Sequence, residues 1–173
     1  MLRLLVIGLA VFALMLVEAR RASANERTQR ARGGVEPRRD VYPVMQIAYP
    51  GVFLAMLWEG LFRPSPPASV IALGVAVFLL GKALKWWAIV SLGPAWTFRI
   101  IVVPGMPLVQ RGPYAFLRHP NYVGVGGELA GVALMCGAPI AGVLGTAFFI
   151  GLMLARVRLE TRALDAILRR GQA

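Results

Sequence analysis

The stretch YVGVGGELAGVALMCGAPIAGVLGTAFFIGLMLA, residues 122–155, carries one charged side chain, Glu128, and one break, at Gly137 and Pro139. Two apolar runs, Tyr122–Cys136 and Ala138–Ala155, read as a tight helical hairpin whose first arm is short. A bilayer core of about 30 Å takes about 20 apolar residues per helix, and these runs fit that span rather than a soluble core. Working outward, Ala68–Val90 is a third such run. Val44–Phe62 is a fourth, interrupted by Pro50, and Leu2–Val17 a fifth, with Arg3 placed to snorkel outward. The chain is predicted to be all-α. It reads as a single domain over residues 1–173, an integral membrane helical bundle of about five transmembrane helices. A polar, Pro-rich loop fills 91–121, and a polar helical tail fills 156–173.

Composition points the same way. The 173 residues are 58% hydrophobic and 16% charged, against roughly 45–50% and about 25% in soluble proteins. A disordered chain, a disulfide scaffold and an ordinary soluble domain are excluded. Cys136 is the one cysteine and has no partner for an internal disulfide, and no ligand set for a metal stands out. The net charge of +11 suits nucleic acid or a membrane protein with basic cytosolic loops. Its distribution favours the membrane. Arg20, Arg21, Arg27, Arg30, Arg32, Arg38 and Arg39 lie in Glu18–Tyr42, read as a loop. Arg99, Arg111 and Arg118 lie in 91–121, and Arg156, Arg158, Arg162, Arg169 and Arg170 in the tail. Lys82 and Lys85 are assigned to the loop end of the third span. With five spans, all of the 19 Lys and Arg except Arg3 and Arg63 then fall on one side. Positive loops stay cytosolic, which puts the N-terminus outside and the C-terminus inside. A cleaved signal peptide ending near Ala22-Ser23-Ala24 is the alternative for the first span. The arginines that follow directly oppose export and favour a retained anchor.

Two features go beyond packing. Glu128 sits inside an apolar span between Gly127 and Gly131, a G-x-x-x-G pair that lets helices approach closely. An acid at that depth needs a partner or a wet cavity, so it reads either as a functional group or as one half of a structural hydrogen bond. The second feature is RGPYAFLRHPNY, residues 111–122, with the one His, two Arg, two Tyr and an Asn. Pro113 and Pro120 restrict its backbone, Gly112 permits a close approach, and His119 is biased to extended conformation by the following proline. Such a turn suits a ligand with a carboxylate and a flat base, or anionic lipid heads. In the tail, Arg156 and Glu160 are i,i+4 on one helical face.

The pattern Arg-Gly-Pro-Tyr-x-x-x-Arg-His-Pro-Asn-Tyr-x-Gly over 111–124 resembles the signature of isoprenylcysteine carboxyl methyltransferases. Arg156-Val157-x-x-Glu160-Thr161-x-x-Leu164 resembles that family's Arg-[Ile/Val]-x-x-Glu-Glu-x-x-Leu element, with Thr161 in place of the second Glu. Leu92–Arg99 is similar to the segment ahead of the signature. The block Glu18…Asn25-Glu26-Arg27…Arg32-Gly33…Glu36 and Glu128 resemble the bacterial branch found beside type III polyketide synthases. The resemblance implies S-adenosylmethionine as methyl donor, entering from the cytosol, and a lipophilic acceptor entering from the bilayer of a bacterial inner membrane. It implies that Gly112, Pro113, Tyr114, Arg118, His119, Pro120 and Tyr122 cradle the cofactor, with Arg156 and Glu160 at the reacting centre and Glu128 and Arg99 towards the substrate. A polyketide synthase pathway is the implied partner. A nucleotide-binding soluble fold is not expected, since no G-x-G-x-x-G sits in a βα alternation.

The acceptor decides the chemistry. A carboxylate is already ionised at neutral pH and needs only an orienting cation such as Arg156, whereas a phenol, with a pKa near 10, gains from a base. Glu160, His119 and Glu128 are the base candidates. A membrane reductase using NADPH and a non-catalytic scaffold or transporter are the rival classes.

The charge asymmetry makes a direct prediction. A reporter fused at Ala173 should be cytosolic and one fused after Pro66 should be periplasmic. A C-terminus reported on the outer side would overturn the five-span topology.

Overall fold

The computed structural model describes residues 1–36, 40–106 and 109–170, without the side chains of Glu160 and residues 162–170. Arg38, Arg39 and Ala173, used in the topology argument, lie outside the described residues. So do the side chains of Arg162, Leu164, Arg169 and Arg170.

Five α-helices follow in order: α1 (Leu2–Ala31), α2 (Tyr42–Leu61), α3 (Ala68–Leu92), α4 (Pro120–Cys136) and α5 (Pro139–Arg170). Among the described residues the one β pairing is an isolated bridge between Val35 and Val102. The expected integral membrane bundle is what forms. Four helices, all but α4, are long and apolar enough to cross a membrane. Their outer surfaces carry Leu5, Leu9, Leu54, Leu79, Leu80, Val143 and Phe148 exposed, the surface a lipid solvent accepts. Helix α4 is the short arm of the predicted hairpin, and it packs against all four other helices. That central position explains how it carries Glu128 and a run of glycines.

One expected boundary is wrong. Glu18–Tyr42 is not a loop, because α1 runs on to Ala31. The segment EARRASANERTQRA is rich in good helix formers and holds no Gly or Pro. The helix stops only before Gly33, whose φ of +80° a side chain would resist. At about 1.5 Å per residue, α1 is about 45 Å long and projects well beyond a bilayer core.

Helices α3 and α4 approach through paired glycines. Gly81 lies against Gly124 and Gly74 against Gly131, so both helices use a seven-residue spacing on their touching faces. A Cβ on Gly81 would sit 2.7 Å from the Gly124 carbonyl oxygen, and one on Gly131 would sit 2.6 Å from the Phe78 nitrogen. At the far end of the bundle from loop 93–119, Arg3 donates to Ser65 Oγ at 2.5 Å. There Glu59 accepts the N–H of Ala141 at 2.7 Å, capping the start of α5.

The glycine contact is testable with one substitution at two sites. Gly131→Ala drives a methyl into backbone atoms that have no room to give. It should lower stability by about 1–3 kcal/mol, and a detergent-solubilised thermal melt should shift by about 2–4 °C for each kcal/mol. Gly126 faces open space, so Gly126→Ala should leave the melt unchanged or slightly raised. Equal melts for the two variants would contradict the close approach.

Candidate functional site

A cavity of about 470 Å³ opens among α1, α2, α4, α5 and the segment after α3. Its apolar walls include Phe12, Met15, Met45, Phe149 and Met153. Its polar lining includes Glu18, Tyr42, Gln46, Tyr49, Lys85, Thr97, Asn121, Tyr122 and Arg156. Pro50 has no N–H to give the Gln46 carbonyl, and both residues line the cavity. Phe12 and Leu16 also line an apolar groove between α1 and α2, with Leu9, Leu54 and Trp58, so the cavity and the groove are neighbours.

The deepest polar feature is a four-charge cluster. Lys85 Nζ donates to Glu18 at 2.6 Å, and Lys82 Nζ lies 2.9 Å from both Glu18 and Glu128. Lys85 is also 3.4 Å from Glu128, and Tyr49 donates its hydroxyl to Glu128. Glu18 and Glu128 are each 1% exposed and Lys85 is 2% exposed. Lys82 and Lys85, expected near the loop end of the third span, lie in the C-terminal half of α3. They lie two to three turns inside α3, because Glu18 and Glu128 neutralise them there. Glu128 does not line the cavity itself, but its partners Lys85 and Tyr49 do.

The sequence-predicted cofactor loop is held on the end of α3. Gly112–Ala115 forms a single 3-10 turn, and Arg111 Nε donates to the Ser91 carbonyl at 3.3 Å. Gly112 has φ +62°, and Ser91 Oγ would lie 2.1 Å from a Cβ there. Its missing side chain thus admits Ser91, a packing reason rather than the ligand approach expected. Pro113 and Pro120 are buried, Tyr114 is half-buried and Arg118 is exposed. His119 stacks on Tyr122 with ring centroids 5.6 Å apart. No side chain caps the start of α4.

Arg156 lines the cavity. It donates to the Phe98 carbonyl, lies 3.6 Å from Asp40, and its Cζ is 5.8 Å from the Tyr42 ring centroid. Arg99 is placed elsewhere. Its guanidinium bonds Glu36 at 2.8 Å, lies 3.8 Å from Glu26 and covers the Tyr42 ring from 5.0 Å, without lining the cavity. Partial burial raises the Glu36 pKa, but hydrogen bonds from Arg99 and Arg30 outweigh it and hold the carboxyl below its usual range. The Glu160 side chain lies outside those described. Asp40, Tyr42, Tyr49 and Lys85 are the site residues that sequence reasoning did not select.

The projecting part of α1 fixes this end of the bundle. Asn25 donates to the carbonyls of Gly93 at 3.1 Å and Trp96 at 2.7 Å, and Gln29 donates to that of Pro94 at 3.0 Å. Trp96 Nε1 in turn reaches Asn121 Oδ1 at 3.4 Å.

A cationic Arg118, an uncapped helix start and a His119–Tyr122 stack on one loop form a donor set that fits S-adenosylmethionine. The first two suit its carboxylate and the aromatic faces suit its base. The sequence profile of the isoprenylcysteine carboxyl methyltransferase (ICMT) family matches residues 72–166. Uncharacterized protein YpbQ of Bacillus subtilis is 34% identical over 145 residues, 83% of this chain and 86% of the relative. An uncharacterized protein of Haemophilus influenzae is 22% identical over 142 residues, 82% of this chain and 83% of that one. No solved structure matches.

The charge cluster predicts non-additive mutations. Lys82→Met leaves two buried carboxylates sharing one cation and should cost about 3–5 kcal/mol. Adding Glu128→Gln restores the balance and should recover a large part of that loss. Thermal melts of the two single variants and the double variant measure the coupling, and strict additivity would contradict the cluster.

Proposed function

The chain belongs to the isoprenylcysteine carboxyl methyltransferase family, and from that premise we propose that it is an S-adenosylmethionine-dependent membrane O-methyltransferase. Its acceptor is a lipophilic molecule bearing a carboxylate or a phenolic or pyrone hydroxyl. The observation that supports the reading is a cavity that shares Phe12 and Leu16 with the lipid-facing groove and is lined by Tyr122, on which His119 stacks. On this reading an acceptor would enter past Phe12 and Leu16 and the donor would bind on the Arg118–His119 loop beside Tyr122. A lipid-soluble acceptor and a water-soluble donor meet there without either crossing the other's solvent.

Arg118 and the start of α4 would hold the donor's carboxylate, and Tyr114, His119 and Tyr122 would enclose its base. When bound, that donor supplies an electrophilic methyl group. The protein's part is positioning within a site that excludes water, with Arg156 as the cation nearest the acceptor's oxygen. Glu160 follows Arg156 by one helical turn and completes the proposed reacting centre. The multi-pass topology is read with the loop 93–119 and the end of α5 in the bacterial cytosol, the side that supplies the donor. A neighbouring polyketide synthase is the proposed source of a phenol or pyrone acceptor.

Binding isolates the cofactor claim from acceptor identity. Arg118→Ala and His119→Ala should weaken S-adenosylhomocysteine binding by about tenfold or more, as expected for lost hydrogen bonds to a charged group. The melt should be unchanged, since Arg118 is exposed and His119 only half-buried. Calorimetry on solubilised protein measures this. Stabilisation by NADP⁺ and none by S-adenosylhomocysteine would favour the reductase class instead.

A further inference from the structure

Asp40 stands just before α2 and outside the segment that matches the family profile. Its Oδ1 accepts the Tyr42 N–H at 3.1 Å and lies 3.6 Å from Arg156 Nη1. The side chain is only 6% exposed, and Oδ2 has no hydrogen-bond partner. One other buried side-chain oxygen among the described residues shares that condition, Glu128 Oε1. It is compensated by Lys82 at 2.9 Å and Lys85 at 3.4 Å. No second cation is placed at Asp40 among the described residues. A buried carboxylate oxygen without a donor is costly, so this one calls for an O–H or N–H brought by a ligand.

We infer that Asp40 Oδ2 receives the hydroxyl proton of a phenolic or enolic acceptor, and so is the general base of the transfer. The inference rests on the methyltransferase reading and narrows its acceptor class. The cavity is lined by the apolar Phe12 and Met15 and also by Tyr42 and Arg156. Asp40 bonds the backbone of Tyr42 and pairs with the guanidinium of Arg156. Asp40 is not itself among the residues that line the cavity; an acceptor hydroxyl that enters between Tyr42 and Arg156 would meet its Oδ2 and the guanidinium together. The acceptor O–H bond breaks and its proton passes to Asp40 Oδ2. The acceptor oxygen bonds the methyl carbon as the carbon–sulfur bond breaks, its electron pair staying on sulfur. Arg156 balances the negative charge that develops on the oxygen. A carboxylate acceptor has no proton to give and would meet Asp40 with like charge.

The test compares the wild type, Asp40→Asn and Asp40→Glu in detergent. Two acceptors serve as probes: a pentadecylphenol, and a ring-fluorinated pentadecylphenol acidic enough to be ionised at neutral pH. Asp40→Asn should bind S-adenosylhomocysteine as the wild type does. It should bind the un-ionised pentadecylphenol, with no methyl donor present, about tenfold or more weakly, as expected for a lost hydrogen bond to a charged acceptor. Its turnover of that phenol should fall by about 10²–10⁴-fold, and the deficit should shrink at least about tenfold on the fluorinated phenol, which needs no base. Asp40→Glu keeps the carboxylate and should keep the wild-type ratio between the two phenols. Asp40→Ser should lose it, which preserves the comparison where the Asn variant does not fold. Equal deficits on both phenols would make Asp40 a structural partner of Arg156 and overturn the inference, as would loss of S-adenosylhomocysteine binding in Asp40→Asn. A wild type that binds S-adenosylhomocysteine but methylates neither phenol overturns the inference and leaves the methyltransferase reading standing. A wild type that does not bind it overturns both.

Discussion

Two lysines held between two glutamates, inside a bundle whose outside is hydrocarbon, set the register of this protein. An isolated charge at membrane depth costs at least about 2.5–3.5 kcal/mol. Here Glu18 comes from α1, Lys82 and Lys85 from α3, and Glu128 from α4, while Tyr49 adds α2. The four charges cancel only when the helices stand at one relative height. A slip of one turn, about 5.4 Å, would separate every pair at once. Apolar packing discriminates weakly against such slips because lipid is as apolar as the helix faces. The cluster supplies the discrimination, and the glycine pairs Gly81–Gly124 and Gly74–Gly131 supply the close approach that puts α3's lysines beside Glu128.

The same register builds the cavity. Glu18, Lys85 and Tyr49 are both cluster members and cavity lining. Another part of the lining depends on α1 as well, through Asn25, Gln29 and the chain of contacts by Trp96 to Asn121. These α1 residues fall outside the matched segment 72–166. The family portion carries the loop and the hairpin, and the N-terminal helix locks them in place. Variation in that helix would therefore retune the site without touching the signature residues.

The spans were legible because hydrophobic length alone decides them, and α2 to α4 fall within two residues of where the apolar runs place them. The hairpin break at Gly137 was equally plain, since only a residue tolerating φ +67° fits there. Charge density suggests a loop over Glu18–Ala31, but its Ala, Arg, Glu and Gln content favours helix, and helix forms there. A rule that counts cations places Lys82 and Lys85 towards the correct end of α3 but says nothing of what neutralises them. The argument that singled out Glu128, a charge at membrane depth needing a partner, applies equally to those lysines and would have found the cluster. Asp40 carried no such signal. Its meaning comes from a guanidinium more than a hundred residues away in the chain, and no local pattern encodes that distance.

Charge pairing also limits what the cavity accepts. The two cations that line it, Lys85 and Arg156, each already face an acid, Glu18 and Asp40. Lys85 is spent within the cluster, and its release would strand Glu18 at depth, so it is poorly placed to capture an incoming anion. Arg156 is different. Its partner lies at 3.6 Å, beyond a hydrogen bond, and that partner keeps one oxygen free. A tight bidentate pair would have closed the site, and an unpaired arginine would have favoured any anion that reached it. A loose pair keeps a cation and a proton acceptor side by side at the cavity. On the proposed reading that arrangement would suit a neutral hydroxyl group better than a charged one, because the group would enter without its own desolvated charge and acquire it only as its proton leaves.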